Sequence, residues 1–259
     1  NAPSEKGANI RTKGEEIHAG EVALKAGEPI SPAGAGLLAS CGLSAVEVYR
    51  RPRVAVIPIG SELVGPDTVP EKGQIRDGNS YALGASVLRA GGIPVLLPIV
   101  ADDKEALSRA VLSASAEYDF VVSSGGASTG DYDFIEEVVR QNGELLMDFV
   151  NMRPGKAQTF GFVNGTPVFG LSGNPAAAYC GFELLIRPAL RKMQGYSTFE
   201  RPRIWALLAR DAKKKDPRRI YLRSTLERKE DGSVEVCPAK SQSSGLFSPF
   251  QRKLLGCLA

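Results

Sequence analysis

The sequence contains a single histidine, His18, among 259 residues. Zinc sites built from several histidines, and the two-histidine facial iron site, are therefore excluded within this chain. A Ser-His-Asp triad would have to use His18, which lies in a polar stretch with no nucleophile elbow near it. We expect this histidine to be structural or peripheral. The chemistry should depend on carboxylates, lysine and arginine side chains and backbone amides.

Other absences narrow the class of protein further. The four cysteines form no CxxC pair and no pattern typical of a disulfide framework, which favours free thiols in a reducing cytosol. No apolar run approaches the roughly 18 residues of a membrane span, and no signal peptide is recognisable. The formal net charge of +3 gives no reason to expect nucleic acid as a partner. We therefore predict a cytoplasmic protein with no membrane partner. Because the chain opens on Asn1, we expect a fragment of a longer protein.

The pattern of secondary structure changes twice along the chain. Residues 1–50 predict short strands and one helix, capped by Ser31 and closed by Gly42. Residues 51–197 alternate strand and helix, which is typical of a mainly parallel sheet with helices on both faces. Residues 198–259 predict a small all-β domain with 14 Lys and Arg against 7 Asp and Glu. That basic surface is either a solvated face or an anion-binding face.

The individual elements follow from hydrophobic periodicity and turn signals. Asp102 is expected to cap one of the helices, and Asp231-Gly232 to form a hairpin turn. The predicted strands are Arg53 to Ile59, Ile93 to Val100, Asp119 to Ser123, Leu145 to Val150, Gln158 to Phe162, Pro167 to Leu171, Arg203 to Arg210, Arg219 to Arg228 and Ser233 to Pro238; the predicted helices are Ser80 to Ala90, Lys104 to Ser115, Tyr132 to Gln141 and Asn174 to about Met193.

The loop over residues 123–133 is the most informative candidate site, since ligands of open α/β sheets bind beyond the carboxyl ends of the strands. Its glycines allow close backbone approach to a ligand, and free amides at a helix start favour an anion. Ser128 adds a hydroxyl, while Asp131 and Asp133 add carboxylates. These would repel a phosphate unless a divalent cation such as Mg²⁺ lies between. The alternative is a tight turn with Asp131 as the helix cap.

Three further loops could contribute to the same site. Ser172-Gly173 could hold an anion, although Asn174 as a cap and Pro175 at the first helical position explain that turn structurally. Glu62 follows the first strand of the sheet. It either binds a metal ion or the substrate, or it is an exposed loop glutamate with no such role. The turn from Arg153 to Lys156 presents two cations that suit an anionic substrate, or it is a solvated turn.

The order and spacing of these motifs resemble the MoeA family, the molybdopterin molybdenumtransferases, to which the E domain of gephyrin is related. The resemblance covers nearly the whole chain. It rests on Asn9-Ile10-Arg11 with Gly14-Glu15-Glu16, Arg51 to Val56 running into Gly60-Ser61-Glu62-Leu63, Gln74 to Asp77, Ser124 to Ser128 with Gly130 to Asp133, Pro154-Gly155-Lys156, Phe169 to Pro175, and Ser241 to Gly245.

The resemblance implies a molybdopterin-binding α/β fold and an enzyme that inserts molybdate into adenylylated molybdopterin, releases AMP and uses Mg²⁺. It also implies a homodimer and contact with the molybdopterin adenylyltransferase. Arg11 and Glu16 belong to the opening motif. Functional positions are Glu62, Asp102, Asp133, Arg153 and Lys156 for catalysis; Glu62, Asp131 and Asp133 for the metal; Ser124, Gly125, Gly126, Ser128, Gly130, Asp131, Ser172, Gly173, Asn174 and Pro175 for molybdopterin; and Arg223 and Ser244, which would approach from the partner subunit.

The chain departs from the usual family pattern in and near this cleft. Ile59 and Ser61 stand where the family usually has Thr and Asp, Arg153 replaces a lysine, Phe149 lies near the position of another lysine, and Glu16 replaces an aspartate. Two alternatives therefore stay open. One is a catalytically weak paralogue that binds molybdopterin or acts as a scaffold. The other is a competence-damage-like nucleotide amidase of the same fold.

Overall fold

The computed structural model describes residues 5–126, 134–212, 214 and 216–247, together with the backbone of 254–258. The helices are α1 (Pro32–Ser40), α2 (Asn79–Arg89), α3 (Lys104–Glu117), α4 (Phe134–Asn142), α5 (Pro175–Gly181) and α6 (Arg187–Met193), with a π-helical turn, Phe182–Ile186, joining the last two. The strands are β1 (Arg53–Pro58), β2 (Leu63–Val64), β3 (Ile75–Arg76), β4 (Ile93–Leu96), β5 (Phe120–Ser124), β6 (Gly143–Phe149), β7 (Met152–Arg153), β8 (Ala157–Val163), β9 (Thr166–Leu171), β10 (Leu207–Leu208), β11 (Arg219–Arg228), β12 (Val234–Pro238) and β13 (Leu254–Leu258).

A six-stranded sheet in the order β4-β1-β5-β9-β8-β6 forms the centre of the fold. Strands β4, β1, β5 and β9 are parallel neighbours, and β8 runs antiparallel to both β9 and β6. The expected mainly parallel sheet is therefore confirmed, with β8 as its one reversed strand. In β1 and β5 the run of buried side chains is nearly continuous, because both faces of a parallel sheet are covered.

Two hydrophobic clusters cover the two faces of this sheet. One joins alternate residues of β1 and β5, such as Val54 and Phe120, to α2 and to the helices after β9. The other joins the intervening residues, such as Ala55 and Val121, to α3 and α4. Side chains of successive strand residues point to opposite faces, so the two clusters alternate along each strand. The helices α2, α3 and α4 therefore each bury one apolar stripe against the sheet.

The helix boundaries confirm several sequence signals and correct one. Ser31 accepts a hydrogen bond from the Gly34 amide at 3.0 Å, and Gly42 follows the C-cap with φ of +83°. Asp103, not Asp102, caps α3 by accepting from the Ala106 amide at 2.7 Å. Two adjacent aspartates made either residue a possible cap, and the side chain of Asp102 is engaged elsewhere.

The N-terminal strands that the sequence predicted are absent from described residues 5–50. Backbone amides there bond to carbonyl groups three residues earlier, as in Glu15 to Thr12 and Glu21 to His18. Those turns are completed by glutamates, whose carboxylates accept the Thr12 and His18 amides. Local turns therefore satisfy backbone N–H groups that, in a strand, would donate to a neighbouring strand. His18 itself is exposed, with Nδ1 3.5 Å from Glu21.

The C-terminal strands form a second sheet around β11, whose predicted bounds are confirmed. It pairs antiparallel with β12 through the Asp231-Gly232 turn, and with β13. The strand predicted over 203–210 shrinks to β10, since its side chains are largely exposed and only two residues pair with β12. β7, which lies between β6 and β8 in the chain, pairs with β11 and therefore belongs to this second sheet. No helix of the described residues is long and apolar enough to cross a membrane.

Candidate functional site

The carboxyl ends of β1, β5 and β9 meet at one edge of the central sheet. Pro58 lies beside Ser124, and Ser124 lies beside Leu171. The ladder continues past the strand ends, since the Ile59 amide donates to the Ser124 carbonyl at 2.9 Å and the Gly125 amide donates to the Leu171 carbonyl at 3.1 Å. The loops over residues 60–62, 125–126 and 172–174 therefore begin side by side.

Gly125 lies where the loops pack backbone against backbone. Its φ is +98°, and a Cβ atom added there would lie 2.0 Å from the Ile59 carbonyl oxygen. A Cβ on Gly173 would lie 3.5 Å from the Gly125 Cα atom. The sequence had suggested that these glycines leave room for a ligand. The structure adds that Gly125 is needed for the loops to approach each other at all.

Asn79 joins two of these loops, a role that sequence reasoning missed. Its side-chain amide donates to the Ser124 hydroxyl and to the Gly173 carbonyl, both at 2.8 Å. Asn79 is the first residue of α2, where asparagine by its type suggests no more than a role at the helix start. Gly78 occupies the cap position, and the buried side chain of Asp77 accepts the Ser80 amide at 3.0 Å. No local signal could have revealed a contact that spans 94 residues.

Glu62 presents an exposed carboxylate at the same edge of the sheet. Its backbone carbonyl accepts the Ile75 amide at 2.8 Å, which fixes the loop to β3. Its side chain folds back over Gly60, as shown by the distance of 2.7 Å between Glu62 Oε2 and a Cβ atom added to Gly60. Asp102 lies beside this loop, and its carboxylate accepts a hydrogen bond from the Ser61 amide. Among the described residues, no three His, Cys, Asp or Glu side chains cluster closely enough to hold a metal ion.

Two predicted cations occupy the turn between β7 and β8. Arg153 Nη1 donates to Asp216 Oδ2 at 3.1 Å, and the Lys156 ammonium lies 5.5 Å from the centre of the Phe149 ring. Gly155, with φ of +96°, makes the turn possible. Arg153 pairs with Ile220 in the ladder between β7 and β11, so the turn lies against the C-terminal sheet. Both side chains therefore stand where the two sheets meet.

Asp216 ties Arg153 to Arg218 and gives a pH-dependent contribution to stability. Hydrogen bonds from Arg218, and a further one from Arg153, hold the pKa of the Asp216 carboxyl well below its usual range. A depressed carboxyl pKa stabilises the fold above the unfolded value of about 4, and this contribution is lost as the pH falls through the folded value.

We therefore expect Asp216→Asn to lower the free energy of unfolding at neutral pH, and the difference from wild type to shrink as the pH falls below about 4. Urea denaturation across pH measures it. Asp211→Asn, a change at an exposed carboxylate of the same segment, is the matched control and should leave the free energy of unfolding unchanged. An Asp216→Asn deficit that persists undiminished in acid would contradict this assignment.

Residues 241–247, here called the C-terminal segment, reach the starts of α2 and α5. The Ser244 carbonyl accepts the Ala176 amide at 2.9 Å. A Cβ on Gly78 would lie 2.9 Å from the Phe247 ring, so that ring lies against the start of α2. These contacts occur within one chain. The approach of Arg223 and Ser244 from a partner subunit stays a prediction.

Arg223 holds the C-terminal segment in place from β11. The residue is 2% exposed, and its guanidinium donates to the Ser243 carbonyl at 2.8 Å and to Gln242 Oε1 at 3.3 Å. Gln242 also bonds to both the amide and the carbonyl of the Arg223 backbone. Burial lowers the pKa of Arg223 and raises the pKa of the nearby Cys180 thiol to about 12. These part-buried hydrogen bonds hold the segment whose Ser244 carbonyl accepts an amide of α5.

The remaining predicted residues are separate from these contacts or beyond the described part of the chain. Asn174 precedes α5, and its amide donates to the Ser172 hydroxyl at 3.3 Å. Arg11 and Glu16 are exposed and pair with each other at 3.3 Å in the N-terminal turns. In the loop over residues 123–133, here called the glycine-rich loop, residues 127–133 lie outside the described residues, and they include four predicted site residues: Ser128, Gly130, Asp131 and Asp133.

A mainly parallel α/β sheet with small-residue loops packed along its carboxyl edge is a fold that many ligand-binding domains share, and the sequence comparison specifies the class. Residues 55–192 match the family described as probable molybdopterin binding domain. The flanking sequence is more specific, because residues 1–42 match the MoeA N-terminal region (domain I and II) and residues 206–252 match the MoeA C-terminal region (domain IV). The chain belongs to the MoeA family, as its motifs predicted.

Known relatives agree with this assignment. A molybdopterin molybdenumtransferase of Staphylococcus aureus (strain COL) is 36% identical over 244 residues, which are 94% of this chain and 58% of that protein. The crystal structure of a molybdopterin biosynthesis MoeA protein from Pyrococcus horikoshii superposes with a TM-score of 0.81 at 31% identity, over 95% of this chain and 60% of that chain. A molybdenum cofactor biosynthesis protein from Pyrococcus furiosus gives a TM-score of 0.70 at 28% identity, over 95% and 76%. The chain thus spans about three fifths of its curated relative.

Proposed function

We propose that the protein carrying this chain inserts molybdate into adenylylated molybdopterin and releases AMP. The observation that carries the proposal is the meeting of three loops at one sheet edge, where a member of the MoeA family would bind this substrate. The hydroxyls of Ser124 and Ser172 and the close backbone of Gly125, Gly126 and residues 173–175 would hold the phosphate and pterin ends. Ser128 and Gly130 would extend this cradle.

Cations beside the loops would attract and position the oxyanion. Lys156 and Arg153 stand on one turn, and the resemblance places Arg223 and Ser244 in the same site. Molybdate and the adenylyl phosphate both carry negative charge, so fixed positive charge stabilises them together. The Arg153 guanidinium donates a hydrogen bond to Asp216, which restrains the orientation of the cation. Electrostatic positioning, with no covalent nucleophile, would supply the rate.

Mg²⁺ fits the donors at this edge. The ion is commonly held by one or two carboxylates together with oxygens of a bound phosphate. The Glu62 carboxylate is exposed and lies against Gly60, and together with Asp131 and Asp133 it would hold the ion near the substrate. When bound, Mg²⁺ would neutralise phosphate charge. We also propose a cytoplasmic homodimer that receives its substrate by contact with the molybdopterin adenylyltransferase.

Replacing Glu62 with glutamine tests this proposal. The amide keeps the size of the side chain but removes the charge that would hold Mg²⁺ and order the site. We expect AMP release from adenylylated molybdopterin in the presence of molybdate to fall about 30-fold, less than the roughly 100-fold or more that the loss of a water-excluded electrostatic group costs, because the Glu62 side chain is exposed. Thermal unfolding should be unchanged, because the side chain is exposed.

Glu71→Gln is the matched control, since Glu71 is an exposed glutamate on the connection between β2 and β3. Its activity should equal that of wild type. A wild-type protein that binds molybdopterin but releases no AMP would favour the scaffolding alternative. Release of ammonia from a nucleotide amide would favour the amidase alternative. Equal activity of both glutamine variants would remove Glu62 from the mechanism.

A further inference from the structure

A reciprocal pair of hydrogen bonds joins the loop after β1 to the loop after β4. The Ser61 amide donates to Asp102 Oδ2 at 2.9 Å, and the Asp102 amide donates to the Ser61 hydroxyl at 3.0 Å. Each residue thus gives a backbone donor and receives one with its side chain. We call this pair the Ser61–Asp102 clamp. It closes a separation of 41 residues.

The clamp continues the pairing of β1 and β4 beyond the ends of both strands. Ile59 forms a parallel bridge with Val100, and the Gly60 amide donates to the Val100 carbonyl at 3.0 Å. The next contact outward is the clamp, and the next residue after Ser61 is Glu62. The backbone of Glu62 is therefore fixed from two sides, through Ser61 to the β4 loop and through its own carbonyl to Ile75.

We infer that Asp102 is a positioning residue that works with Ser61 to hold the Glu62 carboxylate at the carboxyl edge of the central sheet, and that its task is to accept a hydrogen bond and not to supply charge. The inference rests on the proposed function, and it revises the catalytic role that the family resemblance implied for Asp102. One carboxylate oxygen already accepts the Ser61 amide, an acceptor role that a neutral amide oxygen fills equally well.

The inference also gives Ser61 a role. This residue replaces the aspartate usual in the family, and its hydroxyl accepts the Asp102 amide. Both partners are exposed, so each bond contributes little to global stability. Their effect should appear in the geometry of the site. A small displacement of an active carboxylate reduces turnover while leaving substrate affinity nearly unchanged.

The test compares Asp102→Asn with Asp102→Ala. Asparagine retains an acceptor for the Ser61 amide, so its kcat should stay within about twofold of wild type, whereas alanine should lower kcat about tenfold with little change in KM. Ser61→Ala should lower kcat by a similar factor. The double variant Ser61→Ala, Asp102→Ala should be less impaired than the product of the two single effects, because both residues form one unit.

Amide hydrogen exchange supplies a readout that does not depend on activity. Asp102→Ala should speed exchange of the Ser61 amide, and Ser61→Ala should speed exchange of the Asp102 amide, each about fivefold or more. Asp103→Asn is the control: it removes a neighbouring charge but keeps a good cap for α3, so kcat and both exchange rates should be unchanged.

The possible outcomes are distinct. Loss of activity in Asp102→Asn equal to that in Asp102→Ala would show that the charge is required and would overturn the inference. Unchanged exchange in both alanine variants would overturn it as well, since the clamp would not exist in solution. If wild-type protein releases no AMP, the proposed function fails, while the exchange experiment still decides whether the clamp holds the loop.

Discussion

Gly125→Ala is expected to abolish AMP release and to lower the free energy of unfolding by about 4 kcal/mol, through strain at positive φ together with overpacking. The added Cβ would lie 2.0 Å from the Ile59 carbonyl oxygen, a backbone atom that cannot rotate away. Either the β1 loop or the β5 loop must therefore move. That movement separates Glu62 from the cradle. Urea denaturation and a single-turnover AMP assay measure the two effects.

Gly65→Ala provides the control, because its added Cβ would have no neighbour closer than 3.9 Å and its φ is not positive. This variant should match wild type in activity and be slightly more stable, since alanine restricts the unfolded chain. If Gly125→Ala retained wild-type activity and stability, the close packing of the loops would be wrong.

Arg223→Met is expected to have the second largest effect. Methionine keeps much of the length of the side chain but donates no hydrogen bond. The Ser243 carbonyl and Gln242 Oε1 would each lose a charged donor in a part-buried network. We expect the free energy of unfolding to fall by about 3 kcal/mol. Under the proposed function, molybdate-dependent AMP release should fall about 100-fold, because the family resemblance places this cation in the site.

Arg228→Met is the control, because Arg228 lies at the exposed end of the same strand. It removes a positive charge but leaves the hydrogen bonds of Arg223 intact. It should leave both stability and activity near wild type. Limited proteolysis gives a local measure, since only Arg223→Met should increase cleavage within the C-terminal segment. Equal cleavage of the two variants would indicate that Arg223 does not order that segment.

The sequence predicted the central sheet well because each strand carries its own signal. The run from Val54 to Ile57 is apolar at every position, and only a strand covered on both faces accommodates that pattern. Caps such as Ser31 are similarly local, since donor and acceptor lie within one helical turn. These elements could be located without knowing their neighbours.

The cross-links of the site could not be predicted in the same way. Asn79 bonds to loops that are 45 and 94 residues distant, and the partner of Asp102 is 41 residues away. Those contacts depend on the order of strands in the sheet, which periodicity does not specify. Asp102 and Asp103 illustrate this limit. Either aspartate could cap α3 as far as the sequence shows, and only the position of Ser61 in the folded chain distinguishes them.

The pairing of β7 with β11 has a mechanical consequence for substrate exchange. This short ladder attaches the turn with Arg153 and Lys156 to the C-terminal sheet, while the glycine-rich loop belongs to the central sheet. A displacement of the C-terminal sheet would therefore carry Arg153 with it, whereas Lys156 lies against Phe149 at the end of β6. Under the proposed function, such a movement would separate the two cations and weaken the field that attracts the oxyanion, so product release and loss of attraction would occur together.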